Sequence, residues 1–199
     1  MKSPRNSLDD WPLKAGTIIR SFTTKDGRKV TLRAPRWSDL DDFLELINSL
    51  VEEGADINMD KTTTRDAEID WLARHLSVIE KDNEVAVVAE VDGKVVGQVD
   101  MRPRSGRLRQ VGDLGIVIRD GYRDIGIGAE LIEEAEAQAR RLGLRILVLS
   151  VFSSNSRAHH VYEKVGYRDV GRIPRSILKD GEYIDLLLMV KELEPPQTS

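Results

Sequence analysis

The sequence predicts a mixed α/β fold: a mostly antiparallel central sheet flanked by about four helices. Three observations carry that expectation. Two segments in the first half, "GTIIRSFTTKDGRKVTLRAPRW" and "EVAVVAEVDGKVVGQVDM", each place β-rich runs on either side of an Asp-Gly pair, the dipeptide that tolerates the positive φ of a tight hairpin. After Ile118 the apolar period changes from two to between three and four, the mark of an amphipathic helix. That helix leads into "LRILVLSVF", so strand, helix and strand follow one another and imply a right-handed crossover with local parallel pairing.

Taken in order, strands are expected near 17–24 and 29–36, turning at Asp26-Gly27. Ser38 is placed to cap a helix whose apolar residues Leu40, Phe43, Leu44, Ile47, Leu50 and Val51 recur at steps of three and four, ending near Gly54. Residues 54–63 are polar and unpatterned and read as a loop; Thr64 then opens a second helix through Trp71, Leu72, Leu76 and Ile79. His75 lies on that helix with no evident partner. A hairpin turns at Asp92-Gly93, and "LRQVGDLGIVI" is a third long β-run. In the next helix Leu131, Ile132, Ala135, Ala139 and Leu142 share one face, Glu130, Glu133, Glu136, Arg140 and Arg141 face out, and Gly143 supplies the stop. A short helix carries Ala158, Val161, Tyr162 and Val165 and stops at Gly166. Two β-runs, Tyr167 to Ile173 and Tyr183 to Lys191, close the chain, with Asp180-Gly181 turning before the last.

Composition narrows the function classes. A chain of 199 residues, 40% hydrophobic, suits a single domain that buries about 70% of its unfolded surface. The expectation is one domain over 1–199 with a core at about 17–191 and tails at 1–16 and 194–199. With no cysteine, disulfides, thiolate metal sites and a cysteine acyl-enzyme are excluded. Lys and Arg total 30 against 34 Asp and Glu, a net charge of −4, which argues against a sequence-independent grip on nucleic acid. No signal peptide and no apolar run of membrane-spanning length is indicated, so a cytoplasmic protein without a membrane partner is expected. A homodimer is left open.

The stretch "YRDIGIGAELIEEAEAQARRLG", residues 122–143, puts an arginine and two spaced glycines just ahead of an amphipathic helix. A loop from a strand into a helix aims several unpaired amide N–H groups at one point. The helix macrodipole adds roughly half a positive charge there, and Gly126 and Gly128 present no Cβ to hold a phosphate off. Arg119 and Arg123 raise the local potential, which an acidic protein needs if it is to hold a polyanion. The same glycines could instead serve only a tight turn. No Lys-Ser or Lys-Thr follows as in a P-loop, and Leu131 stands where a dinucleotide fingerprint has its third glycine, which disfavours nucleoside triphosphate and NAD.

"LGIVIRDGYRDIGIGAELI" resembles motif A of the GNAT superfamily of acyl-CoA-dependent N-acetyltransferases, an Arg or Gln, two residues, Gly, one residue, then Gly or Ala; Arg123, Gly126 and Gly128 fill it. "NSRAHHVYEKVGY" is similar to the family's second CoA motif through Asn155, Tyr162, Gly166 and Tyr167, and "VTLRAPRWSDLDDFLEL" to its first strand and helix. The likeness covers roughly 17–191. It implies a sheet splayed between its fourth and fifth core strands, with the pantetheine arm of acetyl-CoA in the gap. Backbone groups of Ile116, Val117 and Ile118 would face that arm. The amides of Arg123, Asp124, Ile125, Gly126, Ile127, Gly128 and Ala129 would hold the pyrophosphate, and Asn155 and Ala158 would lie near the arm's far end.

Transfer of an acetyl group to an amine requires two proton movements. A lysine-like amine with a pKa near 10.4 is only about one part in 2,500 neutral at pH 7, so a base must help. Asp113, where many family members have an acid, and Asp100 on the neighbouring strand are the candidates. Strand alternation puts Asp113 on the face opposite Ile116 and Ile118. A backbone N–H near Ile118 would meet the oxyanion. The resemblance gives Tyr162 the role of reprotonating the departing thiolate, a transfer uphill by about 2 kcal/mol before any shift of environment. His159 and His160 point about 100° apart on a helix and lack a third ligand, so no metal is expected. The loop 54–63 and the strands near Ile177 to Ile184 would line the acceptor side. Its acids Glu52, Glu53, Asp56 and Asp60 suit either a cationic amine or a solvated surface. Acceptors from small molecules and amino acids to protein N-termini stay open. So does a non-catalytic acyl-CoA-binding module, against which the presence of Tyr162 leans.

Overall fold

β-branched runs and Asp-Gly turns set the strands close to their expected positions. The structure, a computed structural model, describes residues 13–81 and 84–194, so most of both expected tails lies outside the described residues. Eight strands are present: β1 (Ile18–Thr23), β2 (Lys29–Arg33), β3 (Val85–Val91), β4 (Lys94–Pro103), β5 (Val111–Ile118), β6 (Ile146–Phe152), β7 (Arg168–Lys179) and β8 (Glu182–Glu192). Four α-helices accompany them: α1 (Leu40–Glu52), α2 (Arg65–Ile79), α3 (Ile127–Arg141) and α4 (Ser156–Lys164). Asp92-Gly93 and Asp180-Gly181 carry positive φ at both residues, the geometry that matches the twist of a two-residue hairpin. No helix among the described residues is long and apolar enough to cross a membrane.

The sheet runs β1-β2-β3-β4-β5-β6-β8-β7. The β1/β2, β2/β3, β6/β8 and β7/β8 ladders are antiparallel. β5 and β6 are parallel, with Val111, Gly112 and Asp113 opposite Ile146, Leu147 and Val148. The parallel ladder stops there, although β5 runs on to Ile118 and β6 to Phe152. The expected splay between the fourth and fifth core strands, counted from β2, falls at this pair.

Contacts divide the chain into two compact units, one running to Asp100 and including Ile116–Ala135, the other comprising Met101–Gly115 and the chain from Glu136 onward. In the first, Leu40, Phe43, Leu46 and Leu50 of α1 meet Leu72 of α2, Val88 of β3 and Val95 of β4, with Trp71, Leu76 and Val117 packed around them. The buried face of α1 thus carries Leu46, while Leu44 is only half-buried. The entry to the helix also differs from expectation. Trp37–Asp39 forms a 3-10 turn, and Asp39, not Ser38, is the N-cap of α1. Its carboxylate accepts the Arg36 N–H at 2.9 Å. Asp39 also receives both terminal nitrogens of Arg33, at 2.7 and 2.8 Å, and Arg33 reaches Glu90 at 2.7 Å. Arg33 and Asp39 are each 2% exposed, and no serine hydroxyl could neutralise a guanidinium there.

In the second unit, Leu147, Leu149, Val151 and Phe152 of β6 and Met189 of β8 are buried. Ser150 faces solvent and Ile146 and Val148 are half-buried, so β6 is covered less completely than its apolar run implies. A Cβ on Gly112 would come within 2.8 Å of Leu144 and 2.9 Å of the Met101 sulfur, so the packing demands glycine there. The C-terminal half of α3 departs from expectation. Glu136 is buried, not outward-facing; Lys191 of β8 donates to it at 2.6 Å and Arg140 lies at 3.4 Å, which offsets the desolvation that burial costs. β7 closes one edge of the sheet and is exposed along most of its length.

Removing one partner of a buried ion pair leaves the other charge uncompensated. Asp39→Ala is therefore expected to destabilise the protein by about 3–5 kcal/mol, read as a lower urea midpoint at constant slope; a loss within experimental error would mean that Glu90 alone satisfies Arg33.

Candidate active site

The turn from β5 into α3 is held by donors from the β1/β2 hairpin and by its own Arg123. Gly121, Asp124 and Gly126 have positive φ, with Gly126 at +103°. An L side chain rarely adopts that conformation, so the second motif position requires glycine. Arg28 from the β1/β2 hairpin donates to the Gly121 carbonyl at 2.9 Å and stacks over the Tyr122 ring at 4.8 Å. The Lys25 N–H donates to Ile125 O at 3.4 Å. Arg123 donates from Nε to Ile118 O at 2.9 Å and pairs with Glu53, while Arg119 pairs with Glu45. The hydrogen bond from Arg119 holds the Glu45 carboxyl below the usual range. Glu53, one of the acids expected to border the acceptor side, is thus committed to Arg123.

The helix proper begins at Ile127, and Glu130 N–H to Gly126 O, at 3.3 Å, is its opening bond. The amides of Ile127, Gly128 and Ala129 precede it and have no carbonyl one turn back. Arg123, Asp124 and Ile125 make up the approach. Ile116, Val117 and Ile118 are half-buried at the end of β5, and Val117 packs against the α1/α2 core.

The two candidate bases differ in what holds them. Arg104 grips Asp113 with two nitrogens, at 2.9 and 2.6 Å, and that hydrogen bond raises the guanidinium's own proton affinity. Asp100 receives Gln98 Nε2 at 2.7 and 2.6 Å and stands 3.0 Å from His75 Nε2. His75, which the sequence left unpartnered, is buried and stacked on Trp71 with ring centroids 4.6 Å apart. Sequence reasoning missed it because α2 and β4 are distant in the chain; the available signal was a histidine one turn after Trp71 on a helix of low amphipathicity.

In the second unit Asn155 caps α4, its side chain accepting the Ala158 N–H at 3.0 Å. Tyr162 is the buried residue of that helix, and its ring lies 6.2 Å from that of Tyr167. Burial pushes the Tyr162 phenol up to about 12. The Tyr167 phenol is pushed higher by burial and the neighbouring Glu136 charge, and its hydroxyl is buried without a hydrogen-bond partner. His159 is paired with Asp169 at 3.0 Å and lies 3.6 Å from Glu163.

This fold and turn define a class. Residues 43–167 match the model of the acetyltransferase (GNAT) family, and the chain belongs to that family of acyl-CoA-dependent N-acetyltransferases. It is similar to the L-methionine sulfoximine/L-methionine sulfone acetyltransferase of Pseudomonas paraeruginosa, 27% identical over 58% of this chain and 68% of that one. It is also similar to the L-amino acid N-acyltransferase MnaT of Escherichia coli K12, 25% identical over 83% and 95% of the two chains. A phosphinothricin acetyltransferase from Sinorhizobium meliloti, solved in complex with acetyl-CoA, shares the fold with a TM-score of 0.73 at 22% identity, covering 85% of this chain and 92% of that one.

The raised phenol of Tyr162 has a consequence for stability. The unfolded chain ionises this tyrosine near pH 10, the folded one near 12. Its stabilising contribution is complete below about pH 10 and is lost as pH rises toward 12. At about pH 11 that loss amounts to about 1.4 kcal/mol. Tyr162→Phe is expected to lose correspondingly less stability than the wild type between about pH 9 and about pH 11 in urea titrations; equal losses would show the phenol to be ordinary.

Proposed function

We propose that the protein transfers the acetyl group of acetyl-CoA to the primary amine of a small, amino-acid-like acceptor, by direct attack in a ternary complex. One observation carries this reading: the turn ahead of α3 is anchored by Arg28 and Lys25 of the β1/β2 hairpin and by its own Arg123, while the first-turn amides of Ile127, Gly128 and Ala129 precede the helix's opening bond. Such an arrangement suits a diphosphate. The names of the two relatives, which act on amino acids and amino-acid analogues, support the acceptor class.

In this reading Ile116, Val117 and Ile118 present main chain to the pantetheine, Arg123 through Ala129 hold the pyrophosphate, and Asn155 and Ala158 serve the arm. A backbone N–H near Ile118 meets the oxyanion. A carboxylate takes a proton from the acceptor's ammonium. The neutral nitrogen then bonds to the thioester carbon, and the C–S bond breaks. Tyr162 donates to the departing sulfur. With its phenol near 12 and a thiol near 8.5, full transfer is uphill by about 5 kcal/mol. That is more than an exposed tyrosine costs, yet well below the barrier of about 16 kcal/mol that a turnover of about 10 per second represents.

Thiol release from acetyl-CoA across L-amino acids, L-methionine sulfone, phosphinothricin and short peptides is expected to single out one amino-acid-like amine. Saturable cofactor binding with no turnover on any of them would favour the binding-module reading. Tyr162→Phe should lower kcat by about a hundredfold with little change in acetyl-CoA KM; an unchanged kcat removes the acid role. Gly126→Ala, forced to φ near +103°, is expected to weaken acetyl-CoA binding about tenfold by calorimetry, and an unchanged affinity would place the pyrophosphate elsewhere.

A further inference from the structure

We propose that the acceptor's ammonium docks on Asp100 and loses its proton there, and that buried His75 is the positioning residue that aims this carboxylate. The proposal rests on the transferase reading above and concerns the acceptor half of the same reaction.

Both candidate carboxylates are held and partly exposed, but Asp100 is the one that no guanidinium grips. Gln98 donates to both of its oxygens at 2.7 and 2.6 Å, and His75 Nε2 lies 3.0 Å from Oδ1, a distance at which the Nε2–H tautomer donates to it, yet 40% of the side chain remains exposed. Asp113 by contrast spends both oxygens on one guanidinium, which neutralises the charge that an ammonium would seek. His75 can aim its neighbour because it is itself immobile: it is 7% exposed, lies flat on Trp71 at an interplanar angle of 21°, and Trp71 is braced edge-on by Phe43 at 5.4 Å.

Acidic groups gather around this pair. Glu84 stands 3.9 Å from His75 Nδ1. Glu68, two helical turns earlier on α2, is buried, and its carboxyl is pushed up by desolvation against the pull of His75. An ammonium entering beside Asp100 meets an acidic neighbourhood, from which a neutral or anionic acceptor group gains nothing. The position along the strand also fits. Arg119 N–H donates to Val96 O at 2.9 Å, and the Gly97 Cβ position lies 3.1 Å from Val117 O, so β4 and β5 are paired at this level. Asp100 shares the face of Gln98 two residues along, a rise of about 6.6 Å.

The step balances without a further reagent. The ammonium gives one proton to an Asp100 oxygen; the freed nitrogen lone pair forms the C–N bond as the C–S bond breaks. The nitrogen's surplus proton leaves as the thiolate gains one through Tyr162, and Asp100 returns its proton to solvent. The net products are the amide, the free thiol and one proton.

The test pairs Asp100→Asn with two changes at His75 and uses L-methionine sulfone, or whichever amine of the panel the wild type acetylates fastest. His75→Phe keeps the stacked ring but no donor, and is expected to lower kcat/KM about a hundredfold near pH 7 with the calorimetric affinity for acetyl-CoA unchanged. His75→Gln, which restores an N–H, should recover about a tenth of wild-type activity. Adding His75→Phe to Asp100→Asn should cost no further activity, because the two act as one unit. The deficits of all variants should shrink as pH rises toward the acceptor's own ammonium pKa, since an amine already neutral needs no base. Additive losses, a deficit constant across pH, or a wild-type rate in either His75 variant overturns the proposal while leaving the transferase reading intact. A wild type that turns over no amine at all removes both.

Discussion

The arrangement on which the rest depends is the glycine-bearing turn that opens into the first turn of α3. Helix formation consumes main-chain donors everywhere except in the first turn, and a loop that folded back on itself would consume those as well. Here the carbonyls of the turn are held by donors from the β1/β2 hairpin and by the turn's own arginine. Arg28 takes Gly121 O, the Lys25 N–H takes Ile125 O, and Arg123 reaches back to Ile118 O. The β1/β2 hairpin, which carries no residue of either CoA motif, acts as the brace. Of the three positive φ values there, those at Gly121 and Gly126 come freely to glycine, while that at Asp124 is one that such bracing helps to sustain.

A second theme is how an acidic chain handles buried charge. Arg20 enters a nearly closed site between Glu130 and Glu134 of α3, Arg33 one between Asp39 and Glu90, and Lys191 one beside Glu136. Each cation meets a carboxylate at hydrogen-bonding distance, which is the condition for a buried ion to be tolerated rather than ruinous. Arg104 and Asp113 repeat the pattern at the surface. His75 differs, since the Asp100 carboxylate beside it is partly exposed and gripped by no guanidinium.

Much of the fold was legible because its signals are local. Asp-Gly pairs marked the hairpins, Thr64 marked the start of α2 and Gly143 the end of α3, each through chemistry confined to a few neighbours. The departures came where a distant partner outbid the local rule. Ser38 is a sound cap on its own, but it falls inside a 3-10 turn, and the Asp39 carboxylate at the start of α1 is spent on Arg33 and the Arg36 N–H instead of on the helix. Glu136 belongs on the wet side of α3 by periodicity, but Lys191 from β8 draws it in. Leu46 joins the buried face of α1 where Leu72 of α2, Val88 of β3 and Val95 of β4 meet it, and Leu44 stays half-buried.

The order of strands and helices, the glycine-bearing turn and the tyrosine of α4 were determined by the sequence alone, since backbone conformation and hydrophobic period are properties of short segments. Which carboxylate is gripped and which is open, and that a histidine of α2 meets an aspartate of β4, was decided only by the tertiary structure. Salt bridges and hydrogen bonds act over a few ångströms of space, and no spacing along the chain encodes which residues folding will bring within that reach.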